Sequence, residues 1–256
     1  MFGVLAQMYY GPSHGSAGGV SGLWMYLAAM LVPLALGLWA QMRVKSAFSR
    51  GSQVEATSGI SGAEVAKLIL DSHEIRGVRI EPVNGFLTDH YDSQHKVLRL
   101  SPQVYSGRSV AALGIAAHEA GHAIQDATRY GPLVLRNGIV PLAKIGGAVS
   151  STVLGFGLFF ALALSPVLGK MMLLAGIIGL GLVVLFQLIN LPVELDASRR
   201  AKDLLKSTNI IAPGRESALM GSVLNAAAWT YVAATVGTIV TLLYYLMIFL
   251  SAQRRN

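Results

Sequence analysis

Ala117-His118-Glu119-Ala120-Gly121-His122 decides how this chain is read. Histidines four residues apart on a helix project from one face, so two imidazole nitrogens can meet one metal ion. Glu119 lies between them in sequence, and from there its carboxylate reaches a water activated by such an ion. The seven residues before His118 (Ala111, Ala112, Leu113, Gly114, Ile115, Ala116, Ala117) are small or apolar on every side. That predicts a buried helix, opened by Ser109 and running from Val110 to about Tyr130. Polar side chains inside a buried helix need partners, and a metal would be one.

The composition around this stretch is that of a membrane protein. The chain has 256 residues, 53% hydrophobic and 13% charged, against about 25% charged in ordinary soluble domains. Its mean hydropathy is +0.54. Cysteine is absent, which excludes disulfides and cysteine metal sites, so any metal falls to His, Asp or Glu. The net charge of +7 reads as cytoplasmic loop charge, and no stacking-aromatic or nucleic-acid motif accompanies it.

Working outward, four apolar runs predict four transmembrane helices: Leu23 to Ala40, Ile139 to Leu164, Met171 to Leu191 and Trp229 to Leu250. Pro33 is expected to kink the first. Ser165 to Lys170 is a tight hairpin between the second and third, both rich in glycine for close helix packing. Residues 1–22 hold no Lys or Arg, unlike a cleaved signal peptide. The chain thus divides into 1–40 (an N-terminal segment and first span), 41–138 (a catalytic domain), 139–191 (a hairpin), 192–228 (a polar helical segment) and 229–256 (the last span and tail). The hairpin puts 41–138 and 192–228 on one side, and together they hold sixteen of the twenty Lys and Arg. That side is read as cytoplasmic. Arg254 and Arg255 would then be outside, unless the last helix is interfacial.

Within 41–138, Ser61-Gly62-Ala63-Glu64 is a capping box that opens a helix to about Glu74. Val78 to Val83, Leu87 to Tyr91 and Lys96 to Leu100 read as short strands. Glu81-Pro82 is expected at a sheet edge, and Asn84-Gly85 at a turn. Val97 to Leu100 is expected either to pair with an extended peptide as an added strand or to be interior to the sheet. His14, His73, His90 and His95 read as loop or surface residues, with His90 the best spare ligand among them.

A catalytic zinc usually takes three protein ligands, and thirteen acidic residues are available. Asp126 is eight residues from His118, about 12 Å along a helix, which suits it only as an outer partner of His122. Glu55, Glu64, Glu81 and Glu216 have loop, cap or edge roles. Glu194 stands out, in Leu191-Pro192-Val193-Glu194-Leu195-Asp196-Ala197-Ser198-Arg199-Arg200-Ala201. Pro192 suits a helix start, and Val193, Ala197 and Ala201 form an apolar stripe beside the carboxylate. His118, His122 and Glu194 are therefore the expected metal ligands.

With these motifs the sequence resembles the YugP-type "putative neutral zinc metallopeptidase" family of bacterial multi-pass membrane proteins. The likeness covers the first span, the His-Glu-Ala-Gly-His core, the hairpin and the Glu-Leu-Asp-Ala-Ser-Arg-Arg-Ala stretch. It is more remotely similar to the membrane gluzincins of the HtpX and CAAX-protease group, whose downstream motif is Glu-x-x-x-Asp. Here Ser198 holds the fourth position after Glu194, and the acid is Asp196. The resemblance implies a zinc endopeptidase with Zn²⁺ as cofactor.

The expectation is thus a mainly α membrane protein with four transmembrane helices. It carries a cytoplasmic gluzincin-like zinc protease domain containing a small β-sheet. Glu119 serves as general base, and Tyr231 or Asn225 assists at the oxyanion. The partners are a peptide or membrane-protein substrate and the lipid bilayer, without nucleic acid; a homo-oligomer or a partner membrane protein stays open. A membrane scaffold with a structural zinc site is the alternative, and the spans hold too few charges for a transporter.

Overall fold

Ser61 opens a short helix as its capping box requires. Its Oγ accepts the Glu64 N–H at 3.3 Å, and the Ser61 N–H donates to the Glu64 carboxylate at 2.7 Å. The computed structural model describes residues 17–163 and 165–253. In chain order the elements are α1 (Ala17–Ser52), α2 (Gly62–Ser72), β1 (Arg79–Pro82), β2 (His90–Asp92), β3 (Val97–Leu100), α3 (Pro102–Tyr105), α4 (Val110–Ala127), α5 (Gly131–Ala163), α6 (Pro166–Ser207) and α7 (Arg215–Gln253). The protein is mainly helical with one small sheet.

The chain folds as two compact units: one from Met1–Leu38, Ile139–Leu188 and Ala233–Asn256, the other from Trp39–Gly138 and Ile189–Val232. In the first, glycines set close helix contacts. A Cβ on Gly179 would lie 2.5 Å from the Gly146 carbonyl oxygen, and one on Gly237 would meet Pro33 at 3.1 Å. α1 runs unbroken through Pro33. Among the described residues three helices are long and apolar enough to cross a membrane: Trp24–Ser52, Val167–Ser207 and Arg215–Ser251. The expected span from Ile139 is helical in α5, but side chains toward its far end lie outside the described residues, as do His14, Arg254 and Arg255.

The second unit is built around α4. Val110 to Ala117 are buried except for the half-buried Ile115, and they pack against Val65 and Ile69 of α2, Leu98 and Leu100 of β3, Leu205 of α6 and Met220 of α7. Gly62 lets α2 come close: a Cβ there would sit 2.2 Å from the Val104 carbonyl oxygen. The sheet order is β1-β3-β2, with β1 parallel and β2 antiparallel to β3. Val97 to Leu100 is therefore the central strand, and both its edges are already paired. Of the two expectations for this strand, the interior one is thus met and the added peptide strand is not; the outer strands are β1, which carries Glu81 and Pro82, and β2.

Two helix boundaries also differ from expectation. Pro192 lies inside the 42-residue α6 rather than at a helix start. α7 begins at Arg215, well before the apolar run that opens at Trp229. Glu216 is thus in the first turn of a helix, not in a loop. Its carboxylate accepts the backbone N–H groups of Thr57 (3.1 Å) and Ala212 (3.0 Å).

Candidate metal centre

Ser109 caps α4, its Oγ accepting the Ala112 N–H at 3.2 Å. One turn separates His118 from His122, and their ring centroids lie 4.8 Å apart at 83°. Between them the sequence needs small residues, because α6 crosses here. Ala120 is fully buried, and a Cβ on Gly121 would stand 3.0 Å from the Ala197 carbonyl oxygen. This close approach admits Glu194, one turn earlier on α6. Its Oε2 lies 3.3 Å from His118 Nε2 and 3.4 Å from His122 Nε2. The ligand atoms of His118, His122 and Glu194 fall within 4.8 Å of one another.

The second ring nitrogens fix the direction of the first. Gln125 is fully buried, and its Nε2 donates to the Val193 carbonyl (2.8 Å) and to Asp196 Oδ2 (2.9 Å). Its Oε1 therefore faces His122 and accepts the Nδ1–H at 2.9 Å, which leaves a lone pair on His122 Nε2. Ser198 Oγ is 3.2 Å from His118 Nδ1. Asp196 is anchored in turn by Arg200 Nε at 2.6 Å and by Arg199. The Asp position of the Glu-x-x-x-Asp motif is thus filled by a serine that still meets the first histidine, while the acid two residues on from Glu194 reaches the second through Gln125.

These contacts test whether a cation fits. Glu194 Oε2 is buried and has no hydrogen-bond partner among the described residues. It faces two imidazole nitrogens, one with its lone pair turned toward it. Acceptors held against each other in a buried space require a shared positive charge, supplied by a proton or by a metal ion. Two imidazoles and a carboxylate form a donor set suited to zinc. Burial disfavours a charged His122, but the carboxylates of Glu194 and Glu119 outweigh it and hold its pKa above the usual imidazole value. The site attracts positive charge by construction.

Other expected residues divide cleanly. Glu119 is buried on α4, next to His118 in sequence. Tyr231, on α7, brings its phenol close to Glu194. Asn225 is exposed, and its Oδ1 accepts from Lys202 Nζ at 2.6 Å. Asp126 does not partner His122. It accepts the Tyr91 hydroxyl at 2.7 Å and the Lys96 ammonium, tying α4 to the sheet. Burial and the Asp126 carboxylate raise the Tyr91 pKa. His90 turns its Nδ1 to the Thr88 carbonyl at 2.8 Å and lies outside the ligand cluster.

Two residues escaped the sequence reading. Gln125 is a lone amide three residues past His122 in an apolar helix, and its spacing was the available signal. Arg136, just before the apolar run of α5, places Nη1 3.7 Å from Glu194 Oε1 and 3.4 Å from Asn190 Oδ1.

A family profile described as "Putative neutral zinc metallopeptidase" matches residues 26–250, which include the whole cluster. The chain belongs to this family. It is also 43% identical over 233 residues to a Bacillus subtilis (strain 168) protein named "Putative membrane protease YugP", covering 91% of this chain and 100% of that one. No solved structure matches. Family and relative together support a zinc peptidase class and a membrane location for this member.

Proposed function

We propose that the protein is a membrane-embedded zinc metalloendopeptidase that hydrolyses peptide bonds at the cytoplasmic face, anchored by four spans. The observation that carries this reading is the unpartnered Glu194 Oε2 between two imidazole Nε2 atoms, with Glu119 beside them on α4. The clustering of Lys and Arg in 41–138 and 192–228 supports the cytoplasmic side.

His118, His122 and Glu194 would hold the zinc, which when bound supplies a lowered water pKa and a polarised carbonyl. The chain's own groups do the rest. Glu119 takes the proton of the attacking water and returns it to the leaving amine. Gln125 and Ser198 keep both rings turned so that Nε2 faces inward. Arg136 attracts Glu194 Oε1 and leaves Oε2 directed at the histidines. Tyr231 brings an O–H donor to the same place, where developing negative charge on the substrate carbonyl would meet it. Asn225 has no part in this arrangement.

Glu119→Gln tests the reading. The variant keeps the shape of the side chain and cannot act as a base. It should retain one zinc per chain by metal analysis and lose peptide hydrolysis by about 100- to 10,000-fold. Undiminished biological activity in that variant would replace the peptidase by a scaffold with a structural zinc.

A further inference from the structure

Four helices of the second unit meet the edge of an apolar run. On α1 the run closes at Trp39-Ala40, and the Arg43 guanidinium lies over the Trp39 ring, 5.2 Å from its centroid. On α5 Arg136 stands three residues before the run that opens at Ile139. On α6 the run ends at Leu191, and Glu194 follows three residues later. On α7 Trp229 opens the run, and Tyr231 follows two residues on. Trp39 and Trp229 meet edge to face at 5.8 Å. They remain 38% and 45% exposed.

A paired, exposed set of indoles with a guanidinium stacked on one of them does not suit bulk water. It suits the headgroup layer, where the ring finds apolar chains, the indole N–H finds polar groups and the cation finds phosphate. Tyr231 is about 3 Å along α7 from Trp229, and Glu194 about 4.5 Å along α6 from the end of its apolar run, at 1.5 Å per residue. The headgroup layer itself is roughly 5–8 Å thick on each side of the hydrocarbon core. The level marked by the indoles is therefore also the level of the metal ligands.

We propose that the metal centre works at headgroup depth, and that its substrates are membrane-anchored polypeptides cut in the few residues just outside their own span, in the same leaflet. The substrate half rests on the peptidase reading; the depth half does not. An extended segment advances about 3.3 Å per residue, so about one to three residues beyond a span bring a peptide bond to this level. Anchoring also confines the bond to a thin layer and raises its effective concentration, and that gain falls as the spacer lengthens. A free peptide has neither advantage.

The test uses the full, zinc-loaded chain carrying Trp24→Phe, so that Trp39 and Trp229 are the only indoles. It is reconstituted in vesicles of phosphatidylethanolamine and phosphatidylglycerol. Lipids brominated near the glycerol end should quench the fluorescence more than lipids brominated near the chain terminus, and aqueous iodide should quench little. Strong iodide quenching with no effect of brominated lipid overturns the depth assignment. In the same vesicles, one cleavable sequence is placed about three, ten or thirty residues from the span of a model substrate, and is also supplied as a free peptide. The shortest spacer should be cut at least about tenfold faster than the longest and than the free peptide. Equal rates overturn the substrate assignment and leave the peptidase reading standing. Cleavage of none of them overturns the substrate assignment and the peptidase reading together, and the depth assignment is then decided by the fluorescence alone.

Discussion

Replacing Gln125 with leucine removes the partner of His122 Nδ1 while keeping a side chain of similar size in a fully buried position. Three hydrogen bonds are lost: 2.9 Å from His122 Nδ1, 2.8 Å to the Val193 carbonyl and 2.9 Å to Asp196 Oδ2. Their consequences differ. Asp196 keeps Arg199 and Arg200, and the Val193 carbonyl stays inside α6, so the group left orphaned is the His122 Nδ1–H. A buried unsatisfied donor costs about 1–3 kcal/mol, and losing a hydrogen bond to a charged acceptor adds about 1.5–3. The apolar leucine returns about 1–2 kcal/mol of burial. The metal-free protein should therefore lose about 0.5–5 kcal/mol, with a centre near 3.

Metal binding responds separately, through orientation. Without Gln125 Oε1 the ring has no fixed tautomer, and the Nε2 lone pair no longer has to face Glu194. Outer partners of metal-bound histidines are worth about 10- to 100-fold in affinity, or about 1.4–2.8 kcal/mol. Competition with a chromophoric chelator measures this on detergent-solubilised protein, and thermal unfolding of the metal-free form measures the stability loss. Gln125→Glu separates the two effects. Its carboxylate still accepts the Nδ1–H but lies against Asp196, so it should lose stability while holding zinc within a few-fold of the parent. A folded Gln125→Leu protein that binds zinc as tightly as the parent would refute the argument that this amide sets the ring.

Gly121→Val should drive α4 and α6 apart, because the first added carbon already stands 3.0 Å from the Ala197 carbonyl oxygen; unfolding should show a loss of at least about 1–3 kcal/mol, with weakened zinc binding. Gly114→Ala on the same helix meets only Met220 at an ordinary 3.4 Å, and should leave zinc binding as it was. Asp126→Asn should leave zinc affinity unchanged in the chelator assay and cost about 1–3 kcal/mol through its contacts to Tyr91 and Lys96.

What the sequence made legible follows from local rules. The spacing of His118 and His122, the caps at Ser61 and Ser109, and the burial of a helix of alanines all depend on residues a turn apart. Two misread boundaries share one cause. Apolar runs mark where a helix meets lipid, whereas the helix itself continues for as long as its neighbours bury it. α7 thus begins at Arg215, ahead of Trp229, and α6 passes through Pro192 because packing outweighs the roughly 3 kcal/mol that an interior proline costs. The place of Val97–Leu100 at the centre of the sheet comes from a β1–β3 crossover, which periodicity along one strand does not encode. Arg136 and Gln125 acquire their meaning through residues at least 54 and 68 positions away, on α6.

The continuity of α6 through Pro192 has a chemical consequence. Glu194, Ala197, Ser198 and Ala201 share one helical face at offsets of three, four and seven. From that face Glu194 meets both Nε2 atoms, Ser198 meets His118 Nδ1, and Ala197 rests on Gly121. Asp196, two residues from Glu194, reaches His122 Nδ1 by way of Gln125. Every nitrogen of the two histidines is therefore set from one rigid neighbour, and the separation of α4 from α6 at Gly121 governs the third ligand and both outer contacts at once. The absence of a side chain at 121 and the position of the carboxylate at 194 are two parts of a single requirement, which is why small residues belong inside the His-Glu-Ala-Gly-His stretch.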